Sequence, residues 1–221
     1  FGWSTEMNKQ SGFTLVEIAI VLVIIGLLLG GVLKGQELIN SAKVKNLAND
    51  FRSIPTFVYA YQDKYKRLPG DDPAANTNVG AATTEVGDGD GRIEGAWNAA
   101  PATGACATES CRFWLHVRLA NLAAGTTTLD AGYQPVNAEG APLGITGETP
   151  VTGWAGNFFV CSAGIQGRFV RQLDITIDDG AANTGNVRVI GEGTVASAAT
   201  GYPRALTTAD DATLFTVCSS F

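Results

Sequence analysis

From Ile18 to Leu33 the chain runs through sixteen residues without a charge, and Phe13 to Leu33 is a stretch of 21 interrupted only by Glu17. As a helix rising 1.5 Å per residue, such a segment spans about 31 Å, enough to cross the hydrocarbon core of a bilayer. An ionised carboxylate inside a span costs about 2.5–3.5 kcal/mol on insertion scales. Glu17 therefore needs a partner or a function, unless it lies near the interface and snorkels out to water. A secretory signal would be cut after its apolar region at a small-residue site. Here the run continues directly into Lys34-Gly35-Gln36-Glu37. Met7 is the single methionine and the expected natural start, with Phe1 to Glu6 either upstream readthrough or part of a longer leader.

Charge divides the chain as sharply as hydropathy does. All six lysines lie in the first 66 residues, whereas residues 68–221 carry seven arginines against sixteen acidic residues, a formal net of −9. Non-specific nucleic-acid binding by that acidic part is not expected, because phosphate neutralisation needs a basic surface. With 45% hydrophobic and 16% charged residues and 27 glycines in 221, the chain is no coiled-coil rod, collagen or acidic disordered tail. The four cysteines read as two disulfides, Cys106 with Cys111 and Cys161 with Cys218, in an oxidising compartment; four reduced buried thiols are the alternative. With one histidine, His116, a zinc site would need an unusual ligand set.

Gly12-Phe13-Thr14-Leu15-Val16-Glu17, after a short leader with Lys9 and before the apolar run, resembles the processing signal of type IV pilins and type II secretion pseudopilins. The resemblance implies cleavage after Gly12 by a prepilin peptidase and N-methylation of Phe13. It also implies an assembly role for Glu17, neutralising the N-terminal amine of a neighbouring subunit. That ammonium and the Glu17 carboxylate would lie one helical turn apart, and in hydrocarbon either is costly alone. The basic residues Lys34, Lys43, Lys45 and Arg52 follow the span, against the usual cytoplasmic preference of flanking positive charge. Long domains translocate largely regardless of it, and the cysteine pairs place the acidic part outside the cytoplasm.

Beyond the span, Val44, Leu47, Phe51, Ile54, Val58, Tyr61, Tyr65 and Leu68 alternate in steps of three and four, the seam of one helix face. A helix over 13–66 would be about 80 Å long, its second half packed under a head domain or, alternatively, in a coiled coil. Pro55 removes one amide donor, so a kink is expected there. Gly26, Gly30, Gly31 and Gly35 either loosen the helix or allow close packing in the membrane. Leu68-Pro69-Gly70-Asp71-Asp72-Pro73 ends it.

In the head, Gly87-Asp88-Gly89-Asp90-Gly91-Arg92-Ile93-Glu94 resembles part of a calcium loop, although Val86 and Trp97 stand at its first and twelfth positions. Asp88, Asp90 and Glu94 are its candidate ligands and calcium the candidate cofactor; a solvated Gly-Asp turn is the alternative. Residues 109–124 read as a helix stopped by Gly125, and 168–179 as a helix ended by Gly180. Residues 157–162, 187–191 and 214–219 read as strands. Asp174, Asp178 and Asp179 would crowd the negative end of the second helix, with Arg168, Arg171 or Arg188 the expected compensation and a cation the alternative.

The expected fold is therefore α+β: a leader over 1–12, a membrane or filament-core helix over 13–35, its amphipathic continuation over 36–67, and an extracytoplasmic head over 68–221 with a small antiparallel sheet. No nucleophile, phosphate loop or metal-protease motif points to an enzyme. The expected function is a structural subunit of a type IV pilus-like filament built from the inner membrane. Its partners would be like subunits, the prepilin peptidase, the inner-membrane assembly machinery and, before assembly, the bilayer itself. A pseudopilin, or a membrane-anchored binding domain that never polymerises, are the alternatives.

Overall fold

The computed structural model describes residues 14–130 and 132–221. The chain forms two compact units, one up to Ser41 and one from Ala42 to Phe221. Helix α1 (Leu15–Tyr65) contributes to both.

In the first unit α1 carries the apolar run, with an 18-residue window of mean hydropathy 2.8 and none of it buried. Leu15, Leu27 and Leu33 are 86%, 72% and 66% exposed. The cleavage positions Gly12 and Phe13 lie outside the described residues.

In the second unit the three-four seam behaves as its spacing dictates. Val44, Leu47, Phe51, Ile54, Val58 and Tyr61 are buried, while Lys45, Asn49 and Arg52 are exposed. The helix continues through Pro55, so the missing amide does not end it. Lys66, with φ +58, turns the chain out of α1.

A single turn, α2 (Ala75–Asn78), leads to α3 (Glu109–Leu119). Helix α3 stops five residues short of the expected Ala124, and Asn121 rather than Gly125 stops it. Asn121 adopts φ +59, its N–H donates to the Arg118 carbonyl, and the Leu122 N–H donates to the Val117 carbonyl. These are the two bonds of a Schellman cap, in which asparagine substitutes for the usual glycine.

The remaining elements are β1 (Leu143–Thr146), β2 (Phe159–Gln166), α4 (Gly167–Ile177), β3 (Val187–Glu192), a 3-10 turn over Thr208–Asp210 and β4 (Leu214–Ser220). The strands form one antiparallel sheet in the order β1-β2-β4-β3. One face, with Val160, Val189 and Val217, shares a core with the α1 seam, with Phe113 and Val117 of α3 and with Phe169 and Leu173 of α4. The opposite face, with Phe159, Cys161, Ile190 and Cys218, is covered by Trp97 and Trp154.

In β2, Cys161 and Ala163 face the tryptophans, yet Ile165 faces the helices. An irregularity between Ser162 and Ile165, where Gly164 takes φ +65, reverses the alternation. Strand β1 was not anticipated. It has four residues, and Gly144 within it lies so close to Trp97 that a Cβ would sit 1.9 Å from the Trp97 carbonyl oxygen.

Candidate functional site

Thr14 and Glu17 form a capping box at the start of α1. The Thr14 N–H and hydroxyl donate to Glu17 Oε2 at 2.8 and 2.6 Å, and the Glu17 N–H returns to Thr14 Oγ1 at 3.3 Å. The sequence pattern Thr-x-x-Glu announces this arrangement, and it was not singled out. It gives Glu17 a local duty in addition to the assembly role expected of it: its carboxylate is held at the helix entrance, with both bonds on one oxygen.

In the head, four carboxylates converge. Asp71, Asp88, Asp90 and Glu109 each place an oxygen within 4.8 Å of the others. Two of the expected calcium ligands, Asp88 and Asp90, are in this group. The third, Glu94, is not: it contributes its backbone N–H, which donates to Glu109 Oε2 at 3.2 Å. Asp71 and Glu109 were missed, because they come from the turn after α1 and the first turn of α3, where no motif spacing ties them to the loop.

These two carboxylates hold the loop from beneath. Asp71, 3% exposed, accepts the N–H groups of Gly89 (2.6 Å), Asp90 (3.1 Å) and Gly91 (2.8 Å). Glu109 accepts the Asp88 N–H at 3.1 Å. The chain passes so tightly that a Cβ on Gly87 would lie 2.2 Å from the Asp71 carbonyl carbon. Burial raises both carboxyls above the usual range; the backbone N–H donors oppose it, and the neighbouring carboxylates add to it. Both oxygens of Asp71 and of Glu109 thus accept backbone amides of the loop.

Around them lies a polar frame. Asp72, buried, accepts the Tyr61 hydroxyl and Asn78 Nδ2, each at 2.8 Å. His116 is buried within α3, where its Nδ1 accepts the Gly70 N–H at 2.9 Å and its Nε2 faces the Glu85 carbonyl at 2.8 Å. That carbonyl can only accept, so the ring is the neutral Nε2–H tautomer. With both nitrogens spent on backbone, His116 has no atom left to serve as a base. Cys106 and Cys111 are bonded at the entry to α3, and Cys161 and Cys218 are bonded directly across β2 and β4. Among the described residues no cysteine is free.

Burial, the largest effect, holds the His116 imidazole below its ordinary value against the opposing Glu85 hydrogen bond. The unfolded ring titrates near about 6.5. The folded ring binds its proton less readily, so its contribution to stability is full above that value and declines as pH falls below it. Asp50, raised by burial to about 6, acts in the opposite direction, so the His116 effect is best read on the ring itself. At a pH above the ordinary imidazole range, NMR of His116 should show a neutral ring with its proton on Nε2; a proton on Nδ1 would overturn the tautomer assignment.

No curated protein and no solved structure matches the chain. Residues 7–33 match the model of the prokaryotic N-terminal methylation motif. An unburied apolar helix followed by an α+β head thus begins with the signal of type IV pilins and pseudopilins, and the chain is pilin-like in both its N-terminal motif and its architecture.

Proposed function

We propose that the chain is a structural subunit of a type IV pilus-like filament. It is cleaved after Gly12, methylated at Phe13, stored in the inner membrane by the first half of α1 with its head outside the cytoplasm, and drawn from there into a helical polymer by the assembly machinery. The observation that carries this reading is a methylation motif placed at the start of a helix whose apolar residues from Leu15 to Leu33 are uncovered. An apolar surface of that extent requires lipid or other helices like itself, and a subunit that moves from membrane to filament has each in turn. In the polymer, Glu17 neutralises the Phe13 amine of a neighbour and so sets the axial register.

Intact mass of the mature protein from cells with an active prepilin peptidase tests the reading. The chain should begin at Phe13 and carry one added methyl group. A chain beginning at Met7 in those cells would remove the basis for filament assembly and favour a membrane-anchored domain that does not polymerise.

A further inference from the structure

At the end of α4 a second group of carboxylates, Asp174, Asp178 and Asp179, places one oxygen each within 4.8 Å of the others. Its core differs from that of the first group. Asp174 is fully buried, and neither of its oxygens has a hydrogen-bond partner; the Gly180 N–H approaches without completing a bond.

The arginines expected to compensate are employed elsewhere. Arg171 pairs with Asp211, Arg168 lies over the Phe169 ring, and Arg188 donates to the Gly185 carbonyl and lies over Trp154. Arg188 still acts on Asp179 at longer range. Among the described residues no salt bridge reaches any of the three aspartates. Burial first, then Asp179 and Asp178, push the Asp174 carboxyl up to about 6.

We propose that the turn after α4 binds a divalent cation of the calcium class through Asp174, Asp178 and Asp179. A buried carboxylate without a partner is unfavourable, and the negative end of the α4 dipole deepens the potential that an incoming cation meets. The outer two ligands are fixed in advance. Asp178 accepts the Val187 N–H at 2.8 Å, and Asp179 accepts the Ala181 N–H at 2.9 Å and the Thr184 hydroxyl at 2.7 Å. Gly185 keeps the turn tight, since a Cβ there would lie 2.0 Å from Asp178 Oδ2.

Size favours calcium over magnesium. Magnesium demands near-octahedral geometry, dehydrates reluctantly and is usually held by one or two carboxylates, whereas three carboxylates suit the larger and more adaptable calcium shell. Asp179 is exposed, so water can complete the six to eight oxygens that calcium takes.

Thermal unfolding of the full chain in detergent, after chelation and with CaCl2 as the probe, tests this. Millimolar CaCl2 should raise the wild-type Tm by about 3 °C. Asp174→Asn should raise the metal-free Tm and abolish the calcium response. Asp179→Asn, a surface change that leaves the fold intact, should also abolish the response, whereas Asp90→Asn in the first carboxylate group should retain it. The proposal is overturned if wild type shows no shift, if MgCl2 gives an equal one, or if the response survives Asp179→Asn.

Discussion

Glu17→Gln should leave the protein cleaved and inserted but reduce the yield of sheared filaments by about a hundredfold. Glutamine keeps the capping box, because its carbonyl oxygen can accept the Thr14 N–H as the carboxylate does. What it lacks is charge. In the proposed filament the Phe13 ammonium is buried among apolar helices, and removing the partner of a buried charge costs about 3–5 kcal/mol. Each incoming subunit would bear that cost. Neither earlier step suffers, because the proposed cleavage is at Gly12 and a neutral side chain eases membrane insertion. Glu17→Ala also removes the acceptor of the Thr14 N–H and hydroxyl, the carboxylate's half of the capping box, so its defect should be equal or greater. If Glu17→Gln cells shed wild-type amounts of filament, Glu17 acts as a helix cap alone, and the ion-pair account of assembly falls.

Asp71→Ala should destabilise the head by about 3–5 kcal/mol, read as a lower urea midpoint. Three amides of the 89–91 loop lose their shared acceptor, and bonds to a charged group contribute about 1.5–3 kcal/mol each. Partial access to water recovers some of that total. Asp71→Asn should cost only about 1–2 kcal/mol, since the amide oxygen can still serve two of the three donors. Equal losses for the two variants would mean that the negative charge matters more than the count of acceptors, and a metal ion in this loop would then be the better account of it.

What could be read before folding was set by how local the physics is. The α1 seam was legible because one helix face repeats every three or four residues, and Leu47, Phe51 and Ile54 follow that period into the core. Strands β2, β3 and β4 announced themselves by runs of β-branched and aromatic residues. Strand β1 did not, since Leu143-Gly144-Ile145-Thr146 is short and interrupted by a glycine whose purpose is its contact with Trp97, 47 residues earlier. Asn121 ended α3 where glycine was expected, because both residues tolerate the left-handed turn. Asp71 and Glu109 were invisible as a pair for another reason: they bind backbone amides, and an amide carries no residue signature.

The strand order has a consequence for how the chain is made. Strand β4 lies between β2 and β3 although it follows both in the sequence. While the ribosome works toward Leu214, β2 can pair only with the four residues of β1, β3 has no neighbour at all, and Cys161 waits for Cys218. The sheet closes only on arrival of these final residues. For a head that crosses the bilayer as proposed, this ordering is protective, since the four-stranded sheet stays open until the segment that locks it has come through.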